Sequence, residues 1–184
     1  MELPPGASFD PDPQGALAKA AAPRMPVDVQ AVDFAVAAWR EEGRWVASAI
    51  PARIATTIDS IVNSLRQLPG ESGVLGFIGV GDEFFLLVRT DASGTRILIS
   101  DSVAVLDWSL AEEAAEAADM DWEEDELEEF VPLGDLSILA DLGIDADEIS
   151  LLVDESDLYP DDQVKAIGKR IGLGEQFQKA LRAR

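Results

Sequence analysis

The feature that most constrains this chain is a long stretch of acidic residues without a single base. Residues 111–164 contain 21 of the 36 Asp and Glu residues and no Lys or Arg, while the other 130 residues are close to neutral. Adjacent carboxylates repel one another and offer little surface to bury. Any function that uses electrostatics must therefore start in this stretch.

The composition sets the class of protein and its compartment. A length of 184 residues with 47% apolar content is ample for a packed core in one domain or two small ones. The net charge of −22 repels nucleic acid and anionic lipid. No apolar run approaches the roughly 20 residues that cross a bilayer, and residues 1–15 lack the pattern of a secretion signal. These features predict a cytoplasmic protein that binds neither nucleic acid directly nor a membrane.

The chain contains no His and no Cys. Imidazole bases, thiolate nucleophiles, Ser-His-Asp triads, disulfides and Cys/His zinc sites are therefore excluded. Carboxylate, Lys or Tyr chemistry remains open, as does a Mg²⁺ or Ca²⁺ site with oxygen ligands. The sequence thus favours a protein that is not an enzyme and has no cofactor.

Apolar periodicity and turn residues predict an α+β fold. A hairpin over 32–50, a helix over 54–68 capped by Thr56 or Thr57, a hairpin over 74–89 with its turn at Gly81-Asp82, and one or two strands over 95–105 follow in order. We expect an antiparallel sheet with one packed helix. A helix over 108–120 then leads into the acidic linker.

The C-terminal part has the pattern of a small helical module. Predicted helices cover 135–142, 146–153 with Asp145 or Asp147 as its cap, a third that begins at Tyr159-Pro160, and 175–181. The predicted boundaries are a disordered Pro/Ala-rich tail at 1–31, a sheet domain at 32–110, an acidic helix and linker at 111–132, and the helical module at 133–184. The alternative for the tail is a docking arm.

The densest acids form the candidate partner-binding site, and the linker that carries them is predicted to be mobile. Trp122 stands among them with little local core to join, so it is either a partner-binding anchor or packed on its own sheet. The candidate residues are Asp119, Asp121, Trp122, Glu123, Glu124, Asp125, Glu126, Glu128 and Glu129.

A metal site has weaker support in the sequence. The stretch 141–148 lacks the Gly at the sixth position of a calcium loop and has apolar residues where a hydrated loop would have polar ones. Its acids fit helix capping better. The glycines of 70–81 match no phosphate-binding fingerprint.

Several collinear motifs resemble a known family. They are FAVAAWREEGRW (34–45), LRQLPGESG (65–73), DEFFLLVR (82–89), LISD (98–101), LYPDD (158–162) and IGKRIGLGEQF (167–177). Together with GDL and LADLG within 134–143, they resemble the bacterial tRNA adenosine deaminase-associated protein family over about residues 33–181. The resemblance implies association with a tRNA-editing deaminase and supplies no catalytic residues. The chain lacks the His and Cys zinc ligands that the deaminase itself needs.

Three functions follow from these observations. The first is a non-enzymatic accessory protein whose acidic segment binds a basic protein surface, with a tRNA adenosine deaminase as the first partner to test. The second is a nucleic-acid mimic that regulates another nucleic-acid-binding protein. The third, which the sequence favours least, is a carboxylate-based, metal-dependent hydrolase.

Overall fold

The strands follow the apolar runs in the computed structural model, which describes residues 23–183. They lie in one sheet in the order β2-β1-β3-β4-β5-β6, and every neighbouring pair is antiparallel. The predicted α+β class with an antiparallel sheet is confirmed. The strands are β1 Val32–Glu41, β2 Arg44–Ala49, β3 Val74–Val80, β4 Phe84–Asp91, β5 Gly94–Ile99 and β6 Leu133–Gly134.

Both predicted hairpins form, with two connecting residues between β1 and β2 and three between β3 and β4, and each connection contains two residues with positive φ. Glu42 and Gly43 have φ of 50° and 77°, and Gly81 and Asp82 have φ of 63° and 54°. Paired left-handed residues match the twist of antiparallel strands, and Gly and Asp adopt that conformation at low cost. The turn chemistry thus sets the register of the hairpins.

Six α-helices accompany the sheet in the described residues. None of them is long and apolar enough to cross a membrane. They are α1 Ile58–Arg66, α2 Ala104–Asp107, α3 Ser109–Ala117, α4 Ala146–Val153, α5 Pro160–Arg170 and α6 Glu175–Arg182.

The first face of the sheet carries α1 and α3. Ile58, Ile61 and Leu65 of α1 are buried, as their spacing of three and four residues predicts. Thr57 caps α1 by accepting a hydrogen bond from the Ser60 amide at 3.3 Å. The buried side of α3 is formed by Leu110, Ala111, Ala114 and Ala115. The predicted single helix on this face is therefore joined by a second.

The second face is covered by α4, α5 and α6, which were predicted as a separate module. The Phe77 ring of β3 meets the Phe177 ring of α6 edge to face, with centroids 4.9 Å apart. Trp45 of β2 donates from its indole nitrogen to the Ile171 carbonyl at 3.1 Å. The helices and the strands thus share one buried cluster. The domain boundaries themselves stay a prediction.

Arg89 of β4 binds the stretch that follows β6 and holds it against this second face. Its guanidinium, 4% exposed as a residue, donates to the Ile138 carbonyl at 2.8 Å and to both Asp141 carboxylate oxygens at 2.5 and 2.7 Å. The helix predicted over 135–142 is only a 3-10 turn at Ala140–Leu142. The Leu142 amide donates to the Leu139 carbonyl at 2.9 Å, the bond of a 3-10 turn, while the Ile138 carbonyl accepts from Arg89.

The predicted end of one strand is wrong. The strand expected over 95–105 ends at Ile99, because Asp101 accepts a hydrogen bond from the Val103 amide at 3.0 Å, a local turn that competes with strand pairing. Within the range 1–31 that was predicted as a disordered tail, the Met25 amide donates to the Asp107 carbonyl at 2.7 Å, and Val27 is buried. Residues 1–22 of that tail lie outside the described residues.

Gly168 allows α5 and α6 to approach each other closely. We therefore expect Gly168→Ala to destabilise the protein, although replacing Gly by Ala usually stabilises a helix. A Cβ at this position would lie 2.7 Å from two ring atoms of Phe177. Gly168→Ala would normally stabilise a helix by about 1 kcal/mol. Here we expect it to reduce the free energy of unfolding by about 1–3 kcal/mol because of the clash, measured by urea denaturation. Gly174→Ala, where a Cβ meets nothing within 4 Å, is the control and should cost less than about 1 kcal/mol.

Candidate functional site

The acidic segment, residues 119–129, connects α3 to the approach to β6. Trp122 and Leu127 are half-buried and pack against the core of the first face. Glu124–Glu126 forms a 3-10 turn between them. The expectation of a mobile linker is therefore replaced by a segment with fixed contacts, because its two apolar side chains find surface to bury.

Ser102, in the loop after β5, holds the far end of the acidic segment. Its hydroxyl donates to the Glu128 carbonyl at 2.8 Å and accepts from the Glu128 amide at 3.0 Å. The Ser102 amide also donates to the Val131 carbonyl at 2.8 Å. The buried Ser102 thus takes part in three hydrogen bonds, which fix the backbone at the end of the acidic segment.

All eight carboxylates of the acidic segment are exposed to solvent. Within residues 23–183 every ion pair involves other acids, so none of the eight is neutralised by a Lys or Arg of this part of the chain. A fixed backbone with unpaired carboxylates presents a preformed negative surface. The eight residues are Asp119, Asp121, Glu123, Glu124, Asp125, Glu126, Glu128 and Glu129.

Asp101 lies near the end of this segment, and the pKa of its carboxyl is shifted. Burial raises the pKa of the Asp101 carboxyl above its usual value, and the charges of Glu129 and Asp107 raise it further. Hydrogen bonds from the Phe130 and Val103 amides act in the opposite direction. Burial is the largest of these causes, so the raised pKa reflects mainly the desolvation of the Asp101 carboxyl, and the neighbouring like charges contribute less.

The acids that were considered as metal ligands have structural roles. Asp141 pairs with Arg89, and Asp145 caps α4 by accepting from the Glu148 amide at 2.9 Å. In the described part of the chain, no three acidic side chains are arranged to hold a metal ion. The chemistry that the exposed carboxylates can supply is electrostatic attraction of a cationic partner.

Sequence reasoning located the exposed acids but missed the residues that position them. Asp101 and Ser102 lie about 20 residues before the acidic segment, and the only local sign of their role is a polar pair directly after a strand. Trp122 was weighed both as a partner anchor and as a core residue. The structure places its ring against the first-face core, and its contact with a partner stays a prediction.

Comparison with known proteins adds a family to this description. The family model for Rv3753c-like tRNA adenosine deaminase-associated proteins matches residues 33–174. Protein Rv3753c of Mycobacterium tuberculosis is 37% identical over 150 residues, which are 80% of this chain and 87% of that protein. No solved structure matches the chain. The match covers the sheet, the acidic segment and the helices α4 and α5, and the chain belongs to the Rv3753c-like tRNA adenosine deaminase-associated protein family.

Proposed function

We propose that this chain is a non-enzymatic, cytoplasmic accessory protein whose acidic segment binds a basic surface of a protein partner, and that this partner is a tRNA adenosine deaminase. The observation that carries the proposal is the display of eight exposed carboxylates, unpaired within residues 23–183, on a backbone held by Ser102 and by the packing of Trp122.

A preformed charged surface suits this role better than a free acidic tail. A tail would lose conformational entropy when it binds, and that cost would reduce its affinity. The contacts of Trp122, Leu127 and Ser102 already order the segment when the protein folds, so binding a partner causes less further loss of conformational entropy. The segment therefore binds as a rigid surface whose charge speeds the encounter with a basic partner.

The description of the family supports the choice of partner. A surface that handles tRNA is rich in Lys and Arg because it must neutralise phosphates. The acidic segment can occupy such a surface and compete with tRNA for it. Free tRNA added to the complex should therefore displace this protein from the deaminase.

The test is direct binding of the purified full chain to the tRNA adenosine deaminase of the same organism. We expect binding at low ionic strength that weakens as salt rises, since charges at a surface are screened by salt. Absence of binding at low salt would contradict the assignment of this partner. Affinity purification of the tagged protein from its own host would then separate this function from regulation of another nucleic-acid-binding protein.

Neutralising one part of the acidic segment should slow the association. We expect the variant with Glu123→Gln, Glu124→Gln, Asp125→Asn and Glu126→Gln to associate about tenfold or more slowly with the deaminase, because electrostatic attraction raises association rates by about 10- to 1000-fold. The measurement is stopped-flow or surface-bound kinetics at low salt.

A matched variant separates local charge from total charge. Asp147→Asn, Asp154→Asn, Glu155→Gln and Asp157→Asn change four exposed acids outside the segment and alter the net charge by the same amount. This control should change the association rate far less. Equal slowing by both variants would mean that the net charge of −22, rather than the segment, determines binding.

A further inference from the structure

A cleft of about 480 Å³ opens beside the end of the acidic segment. Four parts of the chain form its walls: the turn between β3 and β4, the loop after β5 with α2, the stretch Glu129 and Phe130, and the stretch from the end of α4 to the first turn of α5. The cleft thus lies where the two layers of helices meet at one end of the sheet. Its volume is in the range of sites that bind ligands or side chains.

The cleft is negatively charged on several sides. The carboxylates of five residues line it, and no Lys or Arg does. Within residues 23–183 none of the five takes part in an ion pair. A cation in the cleft would relieve the repulsion between these groups. The five residues are Asp82, Glu83, Asp101, Asp107 and Glu129.

Two exposed aromatic rings flank this charge. Tyr159 is 63% exposed and Phe130 is 38% exposed, although most large apolar side chains of the described residues are buried. Phe130 has φ of 61°, a left-handed conformation that bulky residues rarely adopt. Exposed rings beside carboxylates provide the two contacts that a guanidinium group makes best, stacking on a ring and pairing with a carboxylate.

A second hollow borders the cleft at Tyr159, and two neighbouring hollows suit a chain segment better than a small free cation. This second hollow, of about 420 Å³, shares Tyr159 and Asp82 with the first. Its lining also includes Asp161 and two bases, Lys165 and Arg182, and Lys165 pairs with Asp161 at 3.0 Å, so the uncompensated negative charge lies in the first cleft. A free amine would fill only one part of such a groove, whereas an extended polypeptide can place successive side chains in both parts.

We propose that this cleft binds an arginine side chain on an extended segment of the protein partner, with its guanidinium group between the Tyr159 ring and the carboxylates of Asp101 and Glu129. The inference rests on the proposed function and adds the place where the partner is held. The acidic segment attracts the partner and sets the association rate, and the cleft retains it and sets the dissociation rate.

Arginine is a better ligand for this site than lysine. A guanidinium is planar, stacks on an aromatic ring, presents several donors to a carboxylate and is less strongly hydrated than an ammonium group. Lysine carries the same charge without these features. Peptides that differ only in this side chain therefore distinguish recognition by the cleft from simple attraction to a negative surface.

The first test uses the ¹⁵N-labelled full chain and three peptides of the form acetyl-Gly-X-Gly-X-Gly-amide, with arginine, lysine or citrulline as X. We expect the arginine peptide to shift the amide signals of Asp101, Phe130 and Tyr159, the lysine peptide to bind several-fold more weakly, and the neutral citrulline peptide to leave these signals unchanged. Shifts confined to residues 119–128, with these three amides unmoved, would overturn the proposal.

The second test removes the ring. Tyr159→Ala should weaken binding of the arginine peptide about tenfold, and Tyr159→Phe, which keeps the ring, should stay within about twofold of the wild type. Because the Tyr159 side chain is largely exposed, both variants should keep the fold. Equal affinity of Tyr159→Ala and the wild type would contradict a role for the ring.

Kinetics with the deaminase separate this inference from the proposed function. Tyr159→Ala should raise the dissociation rate about tenfold and leave the association rate and its salt dependence unchanged. If the deaminase binds and this variant dissociates at the wild-type rate, the cleft proposal fails and the proposed function stands. If the deaminase does not bind while the arginine peptide still shifts the cleft amides, the partner assignment fails and the cleft remains a site for arginine.

Discussion

Phe177→Ala should reduce the free energy of unfolding by about 3–5 kcal/mol, the usual cost of removing a buried aromatic ring. Phe177 is 1% exposed and lies between the Phe77 ring of the sheet and the backbone of α5 at Gly168. The substitution therefore removes contacts with two elements at once. The shift of the midpoint in urea denaturation, at unchanged slope, measures the loss.

The number of unfolding transitions tests whether the sheet and the C-terminal helices share one core. Because strands and helices share the second-face cluster, we expect one cooperative transition that moves as a whole, whether followed by tryptophan fluorescence or by helical circular dichroism. Gln178→Ala, on the exposed side of the same helix, is the control and should change stability by no more than about 0.5 kcal/mol. Two separate transitions in Phe177→Ala would contradict the shared core.

Asp141→Ala should destabilise the protein more than Arg89→Met, although each removes one partner of the same ion pair. The Asp141 side chain is 57% exposed and water can solvate its charge, whereas the Arg89 side chain is 5% exposed. Without Asp141, a buried guanidinium keeps only carbonyl acceptors, at a cost of about 3 kcal/mol. Without Arg89, the charge left behind is solvated, and we expect a loss of about 1–2 kcal/mol. The reverse order would contradict this account.

The same pair predicts a dependence of stability on pH. Hydrogen bonds and positive charge from Arg89 lower the pKa of the Asp141 carboxyl below its usual value near 3.8. A lowered pKa in the folded state means that the pair stabilises the protein above the unfolded value and that this contribution is lost as the pH falls through the folded value. In Asp141→Asn the loss of stability below about pH 4 should therefore be smaller than in the wild type. Parallel pH profiles of unfolding free energy for the two proteins would contradict it.

The exposed acids of the candidate site could be predicted because composition alone identifies them. Eight carboxylates within residues 119–129 cannot all be buried, so their exposure follows from the cost of burying charge. The cleft could not be predicted in this way. Pairing of β4 with β5 places Asp82 and Asp101 at the same end of the sheet, and only the docking of α5 there brings Tyr159 to them.

Local chemistry in the sequence determined the hairpins, the helix caps and the polarity of α5. Gly81-Asp82 makes a turn, and Pro160 begins a helix that ends with Lys169 and Arg170, wherever these elements lie in the fold. Such features depend on interactions within a few residues. They are therefore recoverable from the sequence alone.

Only the tertiary structure decided that the C-terminal helices cover the second face of the sheet. The apolar runs VLGFIGV in β3 and FFLLV in β4 lack the alternation of a sheet with one face in water, and in hindsight they indicate burial on both faces. An apolar run of this kind predicts that both faces of the sheet are covered, but it does not indicate which element covers each face. That choice depends on contacts such as those of Phe77 with Phe177 and of Arg89 with Asp141, between residues about 100 and about 50 positions apart.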